Sequence, residues 1–226
     1  RSTAQNPSHK YFQPGTYNAR LIVENNLGCK DSIVKYAIIV DTLPEPDFDF
    51  DTVCLGNATN FAQQAWISAE GQTGAITYSW KFGDGNVAAG ATTTHTYATA
   101  GKYAVTLIVT DAKNCVESIT DSIMVKPLPI PFFTADSVCL GGCISFTDAS
   151  TKAIDGGNLK IWNYAFGDGN TAGGGTTLIP ASNPQKNPSN CYATAGWHNV
   201  TLTVTDTFNC TQDTTRAVHV FQLPVA

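Results

Sequence analysis

One stretch of this chain occurs twice, and half of it occurs a third time. Trp80-Lys81-Phe82-Gly83-Asp84-Gly85, followed a short loop later by residues 97–111, returns as Tyr164-Ala165-Phe166-Gly167-Asp168-Gly169 and residues 192–206. The second half alone stands at residues 11–23, from Tyr11 through Gly15 and Tyr17 to Val23. An enzyme keeps its chemistry in one place, whereas a chain that repeats its most distinctive stretch is built by duplication of a module. The stretch itself predicts a strand, a tight turn, a loop and a long strand. Gly83-Asp84-Gly85 and Gly167-Asp168-Gly169 supply residues that tolerate positive φ, as a hairpin turn demands. Tyr103, Val105, Leu107 and Val109 alternate with Ala104, Thr106, Ile108 and Thr110, a period of two rich in β-branched and aromatic residues. The first set is expected to face a core.

Composition agrees with strands and turns. Charged residues make up 14% of the 226, and the formal net charge is −5, which speaks against a nucleic-acid partner, since such proteins carry a basic face. No apolar run approaches the roughly 20 residues of a membrane helix, so no membrane insertion is expected in this segment. The first residue is Arg1 rather than methionine, and the chain reads as starting inside a longer protein.

Leu-Pro steps punctuate the chain at Leu43-Pro44, Leu128-Pro129 and Leu223-Pro224. Proline blocks ladder pairing and stiffens a linker. Residues 1–43 therefore read as the C-terminal part of a module, 44–128 as a complete module and 129–224 as a longer one. Cys54 to Cys139 spans 85 positions, but Cys115 to Cys210 spans 95. The last copy thus carries an insertion, placed between Gly169 and Tyr192, whose Gly, Pro, Asn and Ser content predicts a surface loop. A second polar loop is expected at 68–74.

Phe-Gly-Asp-Gly followed by Tyr-x-x-x-Gly-x-Tyr-x-Val-x-Leu-x-Val-x-Asp resembles the PKD domain, an immunoglobulin-like β-sandwich. Tyr97-x-x-x-Gly101-x-Tyr103 is similar to the corner tyrosine of such sandwiches. Trp80 to Gly85 fits the family's Trp-x-Phe-Gly-Asp-Gly, and His95-Thr96-Tyr97 its loop. The last copy departs, with Tyr164 for the tryptophan and Trp197 for Tyr103. The resemblance implies an all-β chain of tandem sandwiches. Val-Cys-x-Gly at a module start and Asn-Cys late in it are similar to PKD arrays in very large secreted proteins of Bacteroidota, among them adhesins, gliding-motility filaments and type IX secretion cargo.

Seven cysteines need an explanation. No close Cys-x-x-Cys pair suggests zinc. Widely spaced, repeated cysteines read as disulfides of an oxidising compartment. Cys54 and Cys115 are the only cysteines of the middle copy, and Cys139 and Cys210 hold their positions in the last. The expected bonds are Cys54–Cys115 and Cys139–Cys210. Cys143 and Cys191 appear together with the insertion, which suggests a third bond. Cys29, equivalent to Cys115, is left without a partner in this segment.

No catalytic constellation emerges. His9 and His95 share one repeat position, where the last copy has Asn190, so this is a loop hydrogen-bonder rather than a base. No Gly-x-Ser-x-Gly elbow or P-loop occurs, and Gly173-Gly174-Gly175 lacks the lysine. Asp47, Asp49 and Asp51 alternate along one face and form a candidate calcium set, since calcium prefers clustered carboxylates. Only Asp51 recurs, as Asp136, which favours no metal, and no cofactor is expected. Asp84 and Asp168 are expected to cap backbone N–H groups of their turns. Tyr78 and Trp162 are sugar-platform candidates by residue type and core residues by position. Ser32, Thr52, Ser122 and Ser137 follow aspartate and precede an apolar residue, as in the O-glycosylation signal of exported Bacteroidota proteins.

The function expected is that of a non-enzymatic stalk or spacer in a large cell-surface or secreted adhesin. Its partners are neighbouring modules of the same chain, with any polysaccharide or protein ligand met through loops. The alternative is an accessory polymer-binding module of a secreted hydrolase. Both place the segment outside the cell.

Overall fold

A computed structural model describes residues 1–67, 75–173 and 186–225. The loop expected at 68–74 and the middle of the insertion, with Gly174 and Gly175, lie outside them. The described residues form strands and turns, with no helix.

The first repeat is a hairpin of β1 (Gly15–Glu24) and β2 (Lys30–Val40). Between Cys29 and Val40 it holds one residue more than its counterparts, and a bulge at Tyr17/Ala19, with Ala37 at φ 56°, absorbs it. Its Tyr17, Ala19, Leu21, Val23 row corresponds to the buried row of the second repeat, yet Leu21 is 58% exposed where Leu107 is 0%.

In the second repeat β3 (Phe48–Phe50), β4 (Ala58–Gln63) and β7 (Thr92–Thr96) form one sheet in the order β3-β4-β7. The other sheet, ordered β6-β5-β8-β9, contains β5 (Thr77–Lys81), β6 (Val87–Ala89), β8 (Gly101–Thr110) and β9 (Val116–Val125). The pairings are antiparallel. Strand alternation sends Val105, Leu107 and Val109 inward, where they meet Phe48, Phe61, Trp80, Phe82 and Tyr97. Trp80 is fully buried, and its indole N–H donates to the Gly90 carbonyl at 2.9 Å, so a large apolar ring is buried without orphaning its polar atom.

The third repeat follows the same plan. Strands β10 (Phe133–Ala135), β12 (Cys143–Asp148) and β15 (Ser189–Cys191) make one sheet. The other, in the order β11-β17-β16-β13-β14, contains β11 (Val138–Cys139), β13 (Leu159–Ala165), β14 (Thr171–Gly173), β16 (Gly196–Asp206) and β17 (Thr211–Phe221). Tyr164 replaces Trp80 in its core, against Phe133, Phe146 and Phe166. Tyr78 is half-buried against the second core and Trp162 is buried in the third, the core places that their strand positions predict.

Candidate functional site at the turns and the repeat junctions

The repeated Gly-Asp-Gly turn is a fixed polar structure. Gly83 has φ 83°, and a Cβ there would stand 2.6 Å from the Ala104 carbonyl oxygen; at Gly167, with φ 80°, the distance to the Asn199 oxygen would be 2.5 Å. The turn packs so closely on the long strand that only glycine fits. Asp84 Oδ1 accepts the Asn86 backbone N–H at 3.0 Å and Oδ2 the Asn86 amide at 3.0 Å. Asn170 does the same to Asp168. Tyr97 then locks the turn from below, its hydroxyl donating to the Phe82 carbonyl at 3.1 Å, and Tyr192 does so to Phe166 at 3.0 Å. Desolvation holds both phenols above their ordinary value.

His95 Nε2 lies 2.6 Å from Asp84 Oδ2, a spacing a catalytic dyad could use. Its surroundings are those of a brace. The ring stacks on Phe82 at 4.2 Å, and in the third repeat Asn190 makes the same bond to Asp168 at 2.8 Å. A position that asparagine fills without loss of geometry is not used for proton transfer.

The aromatic pairing in the third repeat differs from the sequence expectation. Tyr103 stacks on Tyr97 and donates to the Thr99 carbonyl, as Tyr17 packs on Tyr11 and donates to Gln13. His198, not Trp197, fills this place: it stacks on Tyr192 at 4.1 Å and its Nε2 lies 3.0 Å from the Thr194 carbonyl. One position along a strand reverses the face, so Trp197 points outward, 71% exposed beside His219.

Asp47, Asp49 and Asp51 do not converge. Asp47 accepts the Phe48 N–H, Asp49 the Gln64 amide, and Asp51 both the Asn60 N–H and its amide. Among the described residues no group of three or more His, Cys, Asp or Glu is placed to hold a metal ion. Ser32, Thr52, Ser122 and Ser137 are all exposed. Ser122 lies on the edge strand β9 and Ser32 in β2, where Arg20 donates to its hydroxyl.

The cysteines correct the expected pairing. Cys143 is bonded to Cys191, directly opposite it across β12 and β15, where the second repeat pairs Ala58 with Thr96. Cys54, however, is bonded to Cys210 of the next repeat, with a Cα separation of 5.5 Å, and Cys115 and Cys139 are thiols, as is Cys29. The reason is strand length. Cys54 pairs with Lys126 at the far end of β9, while Cys115 lies in the turn that begins β9. The ten residues of β9 separate them by about 33 Å, and a disulfide needs Cα atoms within about 7 Å. Cys139, paired with Phe221, and Cys210, just before β17, stand at opposite poles of the third repeat in the same way. The end pole of one repeat meets the start pole of the next, and there Cys54 meets Cys210. The Lys126 ammonium also lies 4.8 Å from the centre of the Phe208 ring at this junction.

The profile of the PKD domain family matches residues 42–127 and 125–221. A curated relative, the pre-pro-metalloprotease PrtV of Vibrio cholerae, is 33% identical over 87 residues, 38% of this chain. The chain spans about a tenth of that protein's length. Among solved structures, the PKD1 domain of the same PrtV is 30% identical, covering 37% of this chain and 98% of the domain, with a TM-score of 0.33. The PKD1 domain of Vibrio anguillarum Epp is 25% identical, covering 38% and 96%, also at 0.33. The chain, with its repeated Phe-Gly-Asp-Gly turn and tyrosine lock, belongs to the PKD domain family.

Proposed function

We propose that this segment is an extracellular spacer: consecutive PKD modules, bounded near the three Leu-Pro steps, that hold other parts of a cell-surface or secreted protein at a fixed distance. The observation that carries this reading is the Cys54–Cys210 bond, which ties one repeat to the next rather than closing a loop within either. Adhesion that needs only flexible tethering has no use for a covalent clamp at a module junction. The bond also favours an oxidising compartment. The cysteine pattern supports a large Bacteroidota adhesin or type IX secretion cargo as the protein that carries the spacer. Small-angle scattering on the chain and on longer arrays tests the reading: the maximum dimension grows in proportion to repeat number, and a compact profile rejects it.

A second reading is favoured by one finding, the similarity to a domain of a secreted metalloprotease. Here the modules are accessories to a hydrolase and bring it to a polymer. A catalytic domain within a few repeats in the same open reading frame supports it, and many further repeats oppose it.

A further inference from the structure

Three turns carry the late cysteines, and they are the same turn. Asp111 N–H donates to the Cys115 carbonyl at 3.0 Å, and the Cys115 N–H donates to Asp111 Oδ1 at 2.9 Å. Asp206 and Cys210 make both bonds at 3.0 and 2.9 Å, and Asn25 and Cys29 both at 3.0 Å. Asn114 and Asn209 have φ 65° and 64°, and Gly28 has 82° at the same place. The opening cysteines match as well. Cys54 pairs in parallel with Lys126, and Leu55 N–H donates to the Lys126 carbonyl; Cys139 pairs in parallel with Phe221, and Leu140 N–H donates to the Phe221 carbonyl.

The two junctions match too. Val40, Val125 and Val220 all pair with the glycine that opens a long strand, Gly15, Gly101 and Gly196, so Asp41, Lys126 and Phe221 are equivalent. Lys113 and Phe208 are equivalent in the cysteine turns. At the second junction Lys126 meets Phe208; at the first, Asp41 meets Lys113 in an ion pair. The same two positions touch at both junctions, with different chemistry. The first junction therefore has the geometry of the second, and Cys115 stands in it where Cys210 stands in the other. Burial, with the carboxylates of Asp111 and Asp41 near it, pushes the Cys115 thiol up.

We propose that every junction of the array is closed by the same bond: the opening cysteine of each PKD repeat pairs with the turn cysteine of the repeat after it. Cys115 takes the opening cysteine of the repeat before its own, and Cys139 takes the turn cysteine of the repeat that follows. Cys29 takes the opening cysteine of the repeat before the first hairpin. Forming each bond removes two protons and two electrons from two thiols, and a thiol–disulfide oxidant of the exporting compartment accepts them as its own disulfide becomes two thiols. Exposed Phe221 is then the contact residue of the next junction. This inference rests on the spacer reading, in which repeats follow one another end to end.

The test continues the full chain at Pro224 with a second copy of residues 45–224, which preserves the Leu-Pro step. Unreduced peptide mapping should link Cys139 of the first copy to Cys115 of the second. The thiol count should stay at three, as in the single chain, although the added copy brings two more cysteines of this class. Cys115→Ser in the second copy should return Cys139 to a thiol. A free first-copy Cys139 in material that has formed both Cys54–Cys210 bonds overturns the inference and leaves the spacer reading standing. A compact scattering profile does the reverse. Should the extended chain not form those bonds, mapping of the native secreted protein decides. There, Cys139 as a thiol, or linked to anything but the turn cysteine of a following repeat, overturns it.

Discussion

His95 Nε2 and Asp84 Oδ2 lie 2.6 Å apart at the tip of the second repeat, and Asn190 takes the histidine's place against Asp168 in the third. Burial pushes the Asp84 carboxyl up, but the bonds from His95 and Asn86 outweigh it, and the carboxyl is held below its ordinary value. Asn190 and Asn170 hold Asp168 low in the same way against its burial. A carboxylate lowered in the folded state contributes stability above its unfolded value, and that contribution is lost as pH falls through the folded value. Denaturant titrations from pH 7 downward should show stability falling below about pH 4. Asp84→Asn with Asp168→Asn should flatten that fall, and an unchanged slope would remove the turns from the explanation.

The two glycines of each turn should respond differently. Gly85, at φ 96°, has nothing within 4 Å of a built Cβ, whereas Gly83 meets backbone at 2.6 Å. Gly85→Ala is expected to cost about 1–2 kcal/mol from its dihedral alone, and Gly83→Ala at least about 3 kcal/mol because the turn must lift from the long strand. Equilibrium unfolding of the two variants measures the order, and equal losses would contradict the close packing.

Cys143–Cys191 closes a loop with a sequence separation of 48, and the chain-entropy treatment assigns such a loop about 4 kcal/mol. Paired Cys143→Ala and Cys191→Thr variants should lower the unfolding midpoint of the third repeat and leave that of the second unchanged. Hydrogen exchange, read separately on β8 and β16, distinguishes the two.

Ser32, Thr52, Ser122 and Ser137 are exposed hydroxyls that follow aspartate. If the Asp-Ser/Thr signal operates, intact mass spectrometry of native material should show added hexose on those peptides. Unmodified masses at all four positions would leave them as ordinary surface hydroxyls.

The sandwich was legible because its signals are local. The alternation of Tyr103, Val105, Leu107 and Val109 specifies a face, and Gly-Asp-Gly specifies a turn. Repeat alignment also made it plain that His95 and Asn190 share one task. It misled at the cysteines. Equivalent positions suggested partners within a copy, yet equivalence says nothing about which pole a residue occupies. Strand length carries the missing constraint: β9 alone is too long for Cys54 and Cys115 to meet. The meeting of Cys54 with Cys210 depends on how two modules abut, and no local pattern records that. Trp197 stands one position before His198, the true counterpart of Tyr103, and that single step turns its side chain outward.

The Cys54–Cys210 bond also decides where a mechanical pull travels. Drawn from its two ends, the chain passes tension from Cys54 straight to Cys210 and on into β17. The intervening sequence, a separation of 156 residues, is bypassed. At about 3.3 Å per residue, roughly 500 Å of slack is held in reserve and cannot be drawn out until a covalent bond is cleaved. The chain between those sulfurs lies off the covalent load path, and a reductant, rather than force, is what would release the length.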